Sequence, residues 1–74
     1  MPGFSMNHLK DKYIEVRTKA YESGELTPRQ TSVFTPAMLA ALRDMAEQNV
    51  YPDGRFGDTE CGIWEMFRTV RLTK

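Results

Sequence analysis

The stretch Thr35 to Val50, TPAMLAALRDMAEQNV, constrains the fold more than any other part of the chain. Thr35 suits an N-cap, Pro36 suits the first helical position, and Phe34 before the cap can fold onto Leu39 as a hydrophobic staple. At about 100° per residue, Met38, Leu39, Leu42, Met45, Ala46 and Val50 gather on one side, with Arg43, Asp44, Glu47 and Gln48 on the other. A helix with so wide an apolar face has to be covered, either by the rest of the chain or by another molecule.

Length limits how that cover is made. A chain of 74 residues forms one domain whose core supplies only a few kcal/mol of net stability. The single cysteine, Cys61, rules out an internal disulfide framework, which points to a reducing compartment and hence the cytoplasm. Ten basic residues balance ten acidic ones, unlike the broad positive field of nucleic-acid binders. No apolar run approaches the roughly 18 residues of a membrane span.

Charge is unevenly spread. Between Asp44 and Glu65 the acids Asp44, Glu47, Asp53, Asp58, Glu60 and Glu65 face Arg55 alone, whereas the end of the chain holds Arg68, Arg71 and Lys74 without an acid. Acids near helix starts and bases near helix ends complement the helix dipole, which accounts for most of this asymmetry.

In chain order, residues 1–5 read as a loose lead-in and residues 6–74 as a single helical domain. Ser5 or Asn7 is placed to cap a first helix whose Met6, Leu9, Tyr13, Val16 and Ala20 share a face, widened by Ile14 and Tyr21. Gly24 supplies the left-handed residue that ends it. Thr27-Pro28 with Gln30 predicts a short helical turn, bounded by the second Thr-Pro pair at Thr35. Tyr51-Pro-Asp-Gly-Arg-Phe56 predicts a tight reversal, with Asp53 bonding its own backbone and Gly54 taking positive φ. Asp58 or Thr59 then caps a last helix, on which Ile63, Met66, Phe67 and Val70 form the expected core face.

An internal repeat cuts across these elements. Lys19 to Gln30 lies on Asn49 to Glu60 without a gap, matching Tyr21 with Tyr51, Gly24 with Gly54, Leu26 with Phe56 and Gln30 with Glu60. Each copy stands between helical stretches. The arrangement resembles the EF-hand, a helix, a loop with glycine at its sixth position and an acid at its twelfth, and a second helix. That resemblance implies a paired-loop architecture with Leu26 and Phe56 facing each other across a short two-stranded contact. The ligand positions depart from the family's pattern, since the first, third and fifth positions, where calcium requires hard oxygen ligands, are Lys19, Tyr21 and Ser23 in one copy and Asn49, Tyr51 and Asp53 in the other, so neither loop is expected to bind calcium well.

Catalytic equipment is sparse. His8 and Cys61 are the chain's one histidine and one cysteine, and no motif brings them together. Cys61 near a helix start reads either as an activated thiol or as a small buried hydrophobe, and Asp58 with Glu60 reads as a pair of capping groups. The chain is therefore expected to be neither an enzyme nor a cofactor binder. On the last helix Trp64, Arg68 and Arg71 fall on one stripe, of the residue types that carry interface energy; the same spacing also suits Arg68 lying over Trp64 within the helix.

The expected protein is thus all-α, with three main helices plus a short helical turn, arranged as a small bundle or as a degenerate EF-hand-like pair. Its expected role is that of a regulatory or adaptor protein that binds a larger protein through Trp64, Arg68 and Arg71, with a homodimer as a further possibility. The alternative is a small DNA-binding regulator using the basic C-terminal helix, since Leu26-Thr-Pro-Arg-Gln30 resembles the opening of helix-turn-helix domains in response regulators. Circular dichroism is expected to show a mostly helical protein whose melting temperature is the same in calcium and in chelator; a rise of many degrees with calcium would refute the ligand argument.

Overall fold

The computed structural model describes residues 6–72, with side chains from His8 to Val70. Ser5 and the lead-in lie outside that range. Three helices, α1 (Met6–Glu22), α2 (Pro36–Glu47) and α3 (Asp58–Leu72), make up the all-helical fold, and no strand occurs among the described residues. Asn7 is already inside α1 and is not its cap.

The central helix starts as its sequence dictates. Thr35 keeps an extended backbone, and its Oγ1 accepts a hydrogen bond from the Met38 N–H at 3.1 Å, while Pro36 occupies the first turn. Removing such a cap typically costs about 1 kcal/mol. The helix stops at Glu47, short of the expected Val50, because Asn49 turns left-handed at φ 57°. The Asn49 N–H then donates to the Ala46 carbonyl at 3.1 Å and the Val50 N–H to the Met45 carbonyl at 2.8 Å. That is a Schellman ending, with an asparagine in the place glycine usually takes. It turns Val50 back onto the core beside Met45.

Two loops complete the core. The α1–α2 loop begins at Gly24, at φ 84°, and buries Leu26, whose N–H donates to the Ala20 carbonyl at 3.0 Å. The predicted turn of helix after Thr27 is instead a pair of consecutive turns, Thr27–Gln30 and Gln30–Val33, closed at 2.9 and 3.3 Å. The α2–α3 loop turns at Asp53, whose carboxylate accepts from the Arg55 N–H at 2.9 Å, and buries Phe56. Gly54 does not adopt positive φ, contrary to the sequence expectation, because it occupies the first central position of a turn that needs none. Leu26 and Phe56 enter one common core without pairing as strands.

The repeat nevertheless shares a local device. The Thr27 N–H donates to Gln30 Oε1 at 2.8 Å, and at the matching place the Gly57 N–H donates to Glu60 Oε1 at 2.6 Å. In the second copy this is the reach-back half of a capping box, so Gly57 is the N-cap of α3 in place of the expected Asp58 or Thr59.

Both α1 and α3 pack on α2, and among the described residues their backbones do not approach each other. Met38, Ala41, Leu42, Met45 and Ala46 of α2 are all buried between them. The Cα radius of gyration of 12.5 Å exceeds the roughly 11 Å of an equally long compact domain, as expected when the outer helices do not close on each other.

Gly24→Ala is expected to destabilise the fold by about 1 kcal/mol, since it forces a Cβ into left-handed backbone. Gly54→Ala should be neutral or slightly stabilising, because nothing lies within 4 Å of a Cβ built there. Denaturant unfolding of both variants checks the contrast.

Candidate functional site

The gap between α1 and α3 is bridged by side chains. Tyr13 of α1 stacks on Phe56, with ring centroids 5.1 Å apart, and its hydroxyl donates to Glu60 Oε2. One turn on, Arg17 Nη1 donates to Glu60 Oε1 at 3.0 Å, to Oε2 at 2.9 Å and to the Arg55 carbonyl at 3.1 Å. The Gly57 N–H adds its bond, so a carboxylate buried to 6% exposure is held by a phenol, a guanidinium and a backbone amide. A buried charge persists only when paired and hydrogen-bonded in this way.

An open groove of about 480 Å³ lies beside this clamp, lined among others by Arg17, Thr31, Arg55 and Thr59. Its cations are already engaged. Arg55 forms ion pairs with Asp53 at 2.8 Å and with Asp11 of α1 at 3.0 Å, and its side-chain and backbone N–H groups hold the Asp53 carboxyl down at about 2. Cys61 is half-buried, and burial followed by the charges of Asp58, Glu60 and Glu65 pushes its thiol up, away from nucleophilic activation. His8 lies on the exposed side of α1.

The sequence-predicted stripe of α3 requires correction. Trp64 is 1% exposed and sits at the centre of the core face, so in the folded chain it is not a surface contact. Arg68 is half-buried over it, with its guanidinium carbon 5.6 Å from the Trp64 ring and 5.5 Å from the Tyr51 ring. The Arg71 side chain lies outside the described ones. Tyr51, which sequence reasoning had not selected, is 53% exposed and packs on Trp64 at 4.9 Å between centroids, tilted by 44°.

The core face expected for α3 is corrected as well. Ile63 and Phe67 are partly buried against the core, but Met66 and Val70 are 53% and 62% exposed. Glu60 and Trp64 point inward in their place, which turns the helix by roughly a quarter turn from the expectation. Trp64 alone explains much of this. Burying an indole removes about 150–250 Å² from water, or about 4 to 6 kcal/mol as an upper figure. Leaving its N–H unbonded costs about 1 to 3 kcal/mol, and among the described residues no acceptor reaches Nε1. Burial wins. The positions of Tyr13 and Arg17 settle the rest, because Glu60 reaches both only in this orientation.

Comparison with known protein families, with curated proteins and with solved structures finds no match to this chain.

Glu60→Ala is expected to destabilise by about 3 kcal/mol, since it strands the Tyr13 hydroxyl and the Gly57 N–H, and Tyr13→Phe by about 1 to 2 kcal/mol. Burial, then the hydrogen bond to Glu60 and its charge, raise the Tyr13 phenol far above its ordinary value of 10.0. A raised folded pKa means that the tyrosine's contribution is complete below pH of about 10 and declines as pH rises beyond it. Alkaline unfolding is therefore expected to set in above that pH, and Tyr13→Phe, though weaker at neutral pH, should lose less there. Denaturant titrations at neutral and alkaline pH measure both effects.

Proposed function

We propose that this chain is a non-enzymatic regulatory or adaptor protein that binds a larger protein through a surface centred on Tyr51 and Arg68, with Trp64 as its rigid support and Arg71 on the following turn of α3. The observation that carries the reading is the exposed Tyr51 ring, packed on Trp64 with the Arg68 guanidinium against both rings. Tyrosine and arginine are the side chains most often found as interface hot spots. Ordering a flexible side chain on binding costs about 0.5 to 1.5 kcal/mol, and here that ordering is already supplied by the fold. The complementary partner surface is an apolar pocket for the ring, edged by a carboxylate for the guanidinium. A cytoplasmic location belongs to the same reading, because the lone Cys61 leaves no disulfide to make.

Affinity capture from the native host tests the proposal, comparing the parent chain with Tyr51→Ala and Arg68→Ala variants. A specific protein retained by the parent is expected to lose about 2 kcal/mol or more of affinity for folded Tyr51→Ala, with a modest response to salt. Retention of that protein by both folded variants would remove this surface from consideration. Nucleic acid bound with a steep, linear logarithmic salt dependence would favour the DNA-binding alternative instead.

A further inference from the structure

Asp53 is the chain's one aspartate followed by glycine. That pair has a chemistry of its own. The backbone nitrogen after an aspartate can attack the side-chain carboxyl carbon, so that a C–N bond forms, the Cγ–OH bond breaks, and the hydroxyl leaves as water with the amide proton. Water then reopens the cyclic imide. Addition at the side-chain carbonyl restores aspartate, whereas addition at the main-chain carbonyl leaves isoaspartate, with the backbone rerouted through Cβ and Cγ. A side chain on the attacking residue hinders ring closure, and glycine has none.

In the α2–α3 loop the attacking nitrogen is open and the carboxyl is restrained. Gly54 is exposed, a Cβ built on it would meet nothing within 4 Å, and among the described residues no acceptor takes its N–H. Asp53 Oδ1 accepts from the Arg55 N–H at 2.9 Å, which folds the carboxyl back over the Gly54 peptide. The Arg55 side chain grips both oxygens, with Nε donating to Oδ1 at 3.2 Å and to Oδ2 at 3.1 Å, and Nη2 to Oδ2 at 2.8 Å. Its remaining nitrogen, Nη1, pairs with Asp11 at 3.0 Å, so the grip is anchored to α1.

We propose that Asp53–Gly54 is a site of spontaneous conversion to isoaspartate, and that the forked grip of Arg55 holds this reaction in check in the folded chain. The grip acts in two ways. It fixes the direction of the carboxyl, whose carbon cannot turn toward the Gly54 nitrogen without breaking the two-point contact. It also keeps the group ionised. Hydrogen bonds from the Arg55 side chain, then from its backbone N–H, hold Asp53 at about 2 against an ordinary 3.8, which at neutral pH cuts the neutral form, the one whose hydroxyl can leave, by roughly fiftyfold. Isoaspartate would be badly placed here. The Asp53 carbonyl that accepts from the Phe56 N–H at 3.1 Å would become a free carboxylate, and an extra carbon would enter the turn that brings Phe56 to the core and Gly57 to the start of α3. None of this depends on the function proposed for Tyr51.

Prolonged incubation of the full chain at physiological temperature and neutral pH, followed by peptide mapping for isoaspartate, tests the proposal. The folded parent is expected to convert at residue 53 about tenfold or more slowly than the same chain unfolded in guanidinium. Arg55→Ala, with helix content as in the parent, should convert about tenfold or more faster than the parent, since only the backbone bond to the carboxyl remains. Gly54→Ala should convert more slowly than the parent at unchanged stability. Arg55→Lys keeps the charge and loses the fork, so it should fall between the parent and Arg55→Ala, and it decides the question should the alanine variant not fold. The isoaspartyl chain, separated by chromatography, should melt below the parent. A folded parent that converts as fast as the unfolded chain overturns the proposal, as do folded Arg55 variants no faster than the parent, or isoaspartate that collects at another residue in preference to residue 53.

Discussion

The carboxylate of Glu60 is where three separated parts of the chain are joined. Tyr13 and Arg17 reach it from α1, the Gly57 amide from the preceding loop, and Arg17 carries the link on to the Arg55 carbonyl. Without it, the two outer helices would be related only through α2 and through the contacts that Tyr13, Arg17 and Asp11 of α1 make with Arg55 and Phe56 in the loop before α3. Stripping water from an ion costs several kcal/mol, so this group does not add stability by being charged and buried. Its bonds offset that penalty and, by their directions, set how α1 and α3 are placed relative to each other. The exposed pairs of Arg55 with Asp53 and Asp11 lie at the edge of the same system and, being solvated, contribute little.

The orientation of α3 follows from that join and decides what the protein presents to its surroundings. Glu60 and Trp64 are one helical turn apart, so drawing the first inward draws the second with it. Large apolar side chains at the neighbouring angles are left on the surface. The same rotation lays Arg68 along the rim of the core, where its guanidinium covers the indole and meets Tyr51. One polar anchor thus fixes which side chains of α3 face the core and which face solvent.

Much of the architecture was legible from local chemistry. Thr35-Pro36, Gly24 and Asp53 act through their immediate neighbours, and each behaves as its type predicts. Leu26 and Phe56, matched by the repeat, are both buried. The failures occurred where the deciding partner is remote. Helical periodicity assigns a glutamate to the outside and methionine and valine to the inside, and only residues 43 and 47 positions away reverse that for Glu60. A usable signal existed. Arg17 lies one turn beyond Tyr13, on the apolar side of α1, where a cation needs an acid brought to it from elsewhere in the chain. Tyr51 was missed for a related reason, since its exposure depends on how Trp64 beneath it is turned.

The separation of α1 from α3 bears on the order in which the molecule assembles. Each packed helix pair is adjacent in sequence, so α1 with α2 and α2 with α3 form through short loop closures, which favours rapid folding. The Tyr13–Glu60 bond spans 47 residues and needs both helix pairs in place before its groups can meet. It therefore belongs to the native side of the rate-limiting barrier. Interactions formed there leave the refolding rate nearly unchanged and act on how long the folded molecule survives before it opens. In a chain with so small a core, this buried carboxylate then sets the lifetime of the native state more than the speed of reaching it.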